Sequence, residues 1–168
     1  MSTPVLPTPA ETVAVAWLRT GPTAGAGTAT VLPKDPLTWP LVGTARIFTQ
    51  VTDVSGTPDV YTGQRESVLQ WDVWAVQPSS NRARWDAASA TAGILLQSLY
   101  APGWQRDLSA ELPPQYAASR VLSIWPVGTP RRIPDDPSGY ARYTLDVRMV
   151  WIMLSGQDVL TAIPYTEA

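Results

Sequence analysis

The residues most able to do chemistry lie in a stretch between two strand-like segments, where Arg131 and Arg132 are followed closely by Asp135 and Asp136. Adjacent carboxylates could bind a cation or transfer a proton, yet in a loop with three prolines they are more often solvated turn residues. Paired arginines could take a phosphate or an acidic partner, or form ion pairs with the aspartates beside them. Glu66 and Asp72 fall an even number of residues apart on one predicted strand, hence on one face. A catalytic pair of that kind normally works with a histidine or a further acidic cluster, and the chain has no histidine at all. It has no cysteine either, so His-dependent triads, thiolate nucleophiles, disulfides and sulfur-ligated metals are excluded.

Eight tryptophans among 168 residues could form a stacking surface for bases or sugars. Most read better as core: Trp85 and Trp151 fall on the apolar faces of the best-patterned helix and strand. Trp39 and Trp104, placed in loops, are the candidates for an interface. The Gly-rich segment 21–27 precedes no helix and lacks the Gly-Lys-Ser/Thr ending of a phosphate loop. With Lys+Arg 12 against Asp+Glu 14, the net charge of -2 provides no basic field for nucleic-acid binding. Lys34 is the only lysine. No stretch reaches the roughly 20 apolar residues of a membrane span, and the start of the chain has no leader pattern, so synthesis in the cytosol is expected.

The elements that must position these residues follow from periodicity. Thr8-Pro9-Ala10-Glu11 reads as a capping box, starting a helix over residues 9–20 with Val13, Ala16 and Trp17 on one face. Residues 20–43 are rich in Gly, Pro, Thr and Ala and predict a long surface connection, with an apolar patch at 29–32 that could add a short strand. Strands are predicted over 44–54 and 66–76, joined by a polar tip at 55–64. Ser80 or Asn81 can cap a second helix running to Leu99, with Trp85, Ala88, Ala92, Leu95 and Leu99 at helical spacing. Residues 100–118 are irregular. A third strand covers 120–127, and the fourth, 142–151, alternates Tyr143, Leu145, Val147, Met149 and Trp151 with polar residues. The tip between these last two strands spans 128–139, and a polar tail follows at 155–168.

These elements predict one α+β domain, a mostly antiparallel four-stranded sheet with helices packed on one face. Such a sheet has free edges, which invite pairing with another subunit. The segment Gln70-Trp71-Asp72-Val73-Trp74-Ala75, the amphipathic helix that follows, and Arg131-Arg132-Ile133-Pro134-Asp135-Asp136 leading into Gly139-Tyr140-Ala141-Arg142-Tyr143 resemble the tail terminator family of siphophages. The resemblance is closer to the form found in phages of actinobacteria, and it extends over residues 44–151.

That resemblance implies a virion protein of the tail–neck junction, without catalysis or cofactor. It implies a hexameric ring seated on the last ring of tail tube protein, ending tube growth and presenting a surface to the neck stopper. DNA would pass through the lumen without sequence-specific binding, and no membrane is involved. Loop length points to the contacts: Asp59, Tyr61, Gln64 and Arg65 at the first tip, Arg131, Arg132, Asp135 and Asp136 at the second, with Trp39 and Trp104. Other readings are a stopper, an adaptor or a minor tail protein; a small carbohydrate- or peptide-binding domain; and an enzyme using only Asp, Glu, Tyr and Arg.

Overall fold

The computed structural model describes residues 8–58, 64–101 and 105–153. Two helices, α1 (Ala10–Arg19) and α2 (Trp85–Tyr100), lie on the same face of a sheet of seven strands. The strands are β1 (Gly27–Ala29), β2 (Leu41–Val42), β3 (Ala45–Pro58), β4 (Gln64–Val76), β5 (Ser119–Pro126), β6 (Arg131–Arg132) and β7 (Ala141–Met153). Their order is β1-β3-β4-β7-β5, with β2 alongside β3 and β6 alongside β7.

The four long strands are those predicted, and β3–β4 and β5–β7 pair as antiparallel hairpins. The β4–β7 ladder joins the two hairpins through a long register, from Gln64 opposite Ile152 to Ala75 opposite Ala141. Three further strands correct the four-strand expectation. β2 and β6 are two-residue antiparallel additions, and β1 runs parallel to β3. Such short pieces carry no readable periodicity and form only because a long neighbour offers free backbone groups.

Alternation on β7 sets the core. Leu145, Val147, Met149 and Trp151 are buried against the helices, together with Leu69, Trp71 and Val73 from β4 and Ile47 and Val51 from β3. Trp17 of α1 stacks on Trp71 with ring centroids 5.7 Å apart. α1 begins one residue later than predicted, and its capping box does not form. The Thr8 hydroxyl pairs instead with that of Ser119 at 2.5 Å, and a Glu11 carboxylate oxygen accepts the Asp53 backbone N–H at 2.9 Å. Both polar groups thus tie the helix start to the sheet.

The second helix starts at Trp85 and not at Asn81. Asn81 takes a positive φ of 54°, which breaks a helix. Residues 81–84 fold back on the end of β4, with Ala83 bridging Val76. Arg84 then clamps the turn, donating to the Thr44 carbonyl at 2.9 Å and the Gln77 amide oxygen at 2.7 Å.

The long connection does not lie free on the surface. Part of it crosses the sheet face opposite the helices, where Trp39 packs with Phe48, Trp74 and Val76, flanked by Ala29, Leu32 and Tyr140. A 3-10 turn at Pro36–Thr38, capped by the Asp35 carboxylate, delivers Trp39 to this site. Gly27 permits the approach, since a Cβ there would lie 2.4 Å from the Phe48 ring. At this end the sheet is covered on both sides.

Candidate functional site

The 127–140 loop is held from three directions, and these contacts account for three of its four charged residues singled out in the sequence, Arg131, Arg132 and Asp136. Arg131 and Arg132 form β6, so their side chains leave opposite faces of the sheet. Arg131 pairs with Asp146 at 3.1 Å, and the Arg132 guanidinium sits 3.9 Å over the Trp85 ring, which in turn meets Tyr143 edge-on. Asp136 closes the loop: its carboxylate accepts the Ser138 N–H and hydroxyl as well as the Arg142 guanidinium at 3.1 Å. Burial works to raise the Asp136 pKa, but these hydrogen bonds from Ser138 and Arg142 outweigh it and hold the carboxyl below the usual range.

Beneath this loop lies Asp72, only 3% exposed at its side chain. It accepts from Arg142 Nε at 3.0 Å, from Gln70 Nε2 at 3.0 Å and from the Thr144 hydroxyl. Arg142 thus joins a sheet carboxylate to a loop carboxylate, with its guanidinium 5.0 Å from the Trp74 ring centre. Burial works to lower the Arg142 pKa, and Asp72 and Asp136 reverse it, so the residue stays cationic. A buried ionic pair of this geometry contributes mainly by fixing one arrangement, because desolvation offsets much of its attraction.

Glu66 and Asp72 do share a face, as predicted, but each is bound to its own arginine, Asp72 to Arg142 and Glu66 to Arg148. They form no catalytic pair. Asp135 stays exposed beside Asp136. Among the described residues no group of three or more His, Cys, Asp or Glu is placed to hold a metal ion.

The remaining sites divide. Trp39 is buried within its own chain at 1% exposure, and its indole N–H donates to the Pro33 carbonyl. It is therefore a core residue and not an interface residue, because Phe48 and Trp74 on the polar-looking face of the sheet require an apolar cover. Gln64 and Arg65 open β4 and are half-buried in its pairing with β7, opposite Ile152 and Trp151. Both hairpin strands run further than predicted, to Pro58 and from Gln64, which shortens the first tip. Asp59, Tyr61 and Trp104 lie outside the described residues.

Beyond Asp72 the same sheet face is uncovered by any described segment. It carries Gln70, Asp146, Glu66 and Arg148, bordered by Trp125, which is 38% exposed and has the Arg148 guanidinium 5.8 Å from its ring. The sequence placed Trp125 on the third strand among the tryptophans read as core, and its exposure corrects that. Its position opposite Arg148 on β5 is set by a bulge between Val121 and Ser123, which a period-2 pattern cannot show.

No protein-family model matches the chain, and no curated protein does. Among the described residues, no helix is long and apolar enough to cross a membrane.

Proposed function

We propose that this chain is a structural subunit of a phage virion, a tail terminator that closes as a ring on the head-proximal end of the tail tube and joins it to the neck. The observation that carries the reading is the 127–140 loop, held by Arg131–Asp146, Arg132–Trp85 and Arg142–Asp136. A loop fixed by three separate contacts presents a preformed surface and loses little entropy on docking. Next to it lies a broad, charge-balanced sheet face, whose glutamate and arginines are already paired within the chain. Such a surface suits contact with other protein, or a lumen through which DNA slides without adhering.

The reading also rests on the organisation of the sequence: the Gln70–Ala75 segment, the helix that follows it, and the Arg-Arg-Ile-Pro-Asp-Asp loop leading into the last strand resemble that family. The partners are further copies of the chain, the tail tube protein and the neck stopper; no cofactor is required.

The test is the mass of the purified chain by light scattering, alone and mixed with the tail tube protein of the same phage. The expected result, in one sample or both, is a closed species near six times 18.2 kDa. A chain that stays monomeric and ignores the tube would overturn the proposal in favour of a small ligand-binding domain. For that alternative, the feature to pursue is the cleft of about 580 Å³ between residues 105–109 and 117–122.

A further inference from the structure

We infer that copies of this chain join head to tail, with the rim of β3 on one copy, bearing Glu11 and Asp53, seated against the cleft beside β5 on the next, bearing Arg106 and Arg120. The inference rests on the ring reading and names its interface. The two rims lie at opposite ends of the strand order, and β1 flanks β3 only as far as Gln50, so among the described residues those from Val51 onward have no strand beside them on that side.

That border is acidic. Glu11 reaches over from α1 to accept the Asp53 N–H, which brings two carboxylates together, and none of the ion pairs among the described residues involves either one. Partial burial, together with the Glu11 charge, pushes the Asp53 pKa up against a hydrogen bond from Ser67. A cation from outside the chain would relieve this crowding.

The opposite border has the complementary surplus. The cleft runs along β5 and contains Arg106 and Arg120. Its only acidic residue, Asp107, accepts the Ser109 N–H and feels the charge of Arg120, so two arginines stand against one carboxylate and the cleft keeps one positive charge in excess. Arg106 donates to the Trp17 carbonyl at 2.7 Å and lies 3.7 Å over the Trp17 ring, without a carboxylate partner among the described residues. Arg120 is exposed at the cleft wall.

Backbone geometry favours side-chain docking over a continuous strand ladder. β3 is bulged between Asp53 and Ser55, and β5 between Val121 and Ser123. Bulges at sheet edges block regular pairing and re-aim side chains. The first leaves Val54 58% exposed beside Asp53, and the second sets half-buried Leu122 in the cleft. An apolar tip flanked by acids thus faces an apolar floor flanked by bases. Because the two surfaces differ, the contact is heterologous, and repeating it gives a ring wherever the rotation closes.

The test is a charge exchange on the full chain, read by light scattering and sedimentation over a range of concentrations. Asp53→Lys and Arg120→Glu are each expected to weaken self-association roughly tenfold, by setting like charges against each other. An equimolar mixture of the two variants should associate again, since each supplies the border that the other needs, and the double variant should recover alone. Association of either single variant at wild-type strength, or a mixture no better than its components, would overturn the inference while leaving a ring intact. A wild-type chain that never associates, with or without the tube, would remove the ring reading and this interface together.

Discussion

Replacing Arg142 with alanine would strand a carboxylate in the sheet. Asp72 has almost no solvent contact, and its partner is itself only 24% exposed, so water cannot readily take the place of the guanidinium. Breaking a buried pair from one side costs about 3–5 kcal/mol. The lower end applies here, because Thr144 and Gln70 continue to donate to Asp72 after Arg142 is gone. In a chain of 168 residues, a loss of about 3 kcal/mol lowers the melting temperature by roughly 6–12 °C. Removing Asp72 as well should add far less than its separate cost, because the buried charge left behind is then gone. The coupling between the two sites is expected at about 2 kcal/mol. Urea unfolding of the wild type, Arg142→Ala, Asp72→Ala and the double variant measures all three quantities. An Arg142→Ala cost under about 1 kcal/mol, or two costs that simply add, would refute the claim that Arg142 compensates a buried charge.

Two other outcomes follow from contacts on the same face. Gly27→Ala places a methyl group against the Phe48 ring and within 3.0 Å of Pro40, both held in packed surroundings. It should cost about 1–3 kcal/mol and release β1, read as faster amide exchange at residues 27–29 with β4 and β7 unaffected. The depressed Asp136 pKa means that its anchoring is complete above the ordinary aspartate range and fades as pH falls below about 3.8 through the folded-state value. Over that acid window the wild type should lose stability more steeply than Asp136→Asn; parallel curves would show that the carboxylate does not hold the loop.

How much of this could be read in advance depended on the range of each interaction. β7 was legible because its alternation is local: its apolar set is buried as predicted apart from half-buried Tyr143, while Thr144 of the polar set is buried too, against Asp72. Both helices were legible for the same reason, but their caps were not. Thr8 and Asn81 have the right chemistry for caps, and tertiary contacts to Ser119 and the end of β4 took precedence. The covered second face was the principal omission, and its signal was present: Phe48 and Trp74 stand at positions where a solvated face would be polar. Residues 71–76 are buried without a break, as in a strand covered on both sides. The same run marks Asp72 as a carboxylate in need of a cation. Nothing local identifies that cation as Arg142, which is 70 residues further along the chain. For the site as a whole, the sequence located the Arg131–Asp136 loop and its charges, while their partners required the register of β4 against β7.

The uneven cover of the sheet has a geometric consequence. Near Trp39 the chain is three layers deep, with helix, sheet and connection, whereas toward Glu66 and Arg148 the described residues form only two. A tile of that kind is tapered. The thick end keeps its aromatic residues out of reach of any partner, while the thin end leaves the Glu66–Arg148 pair and Trp125 as the part of that face that can be touched from outside.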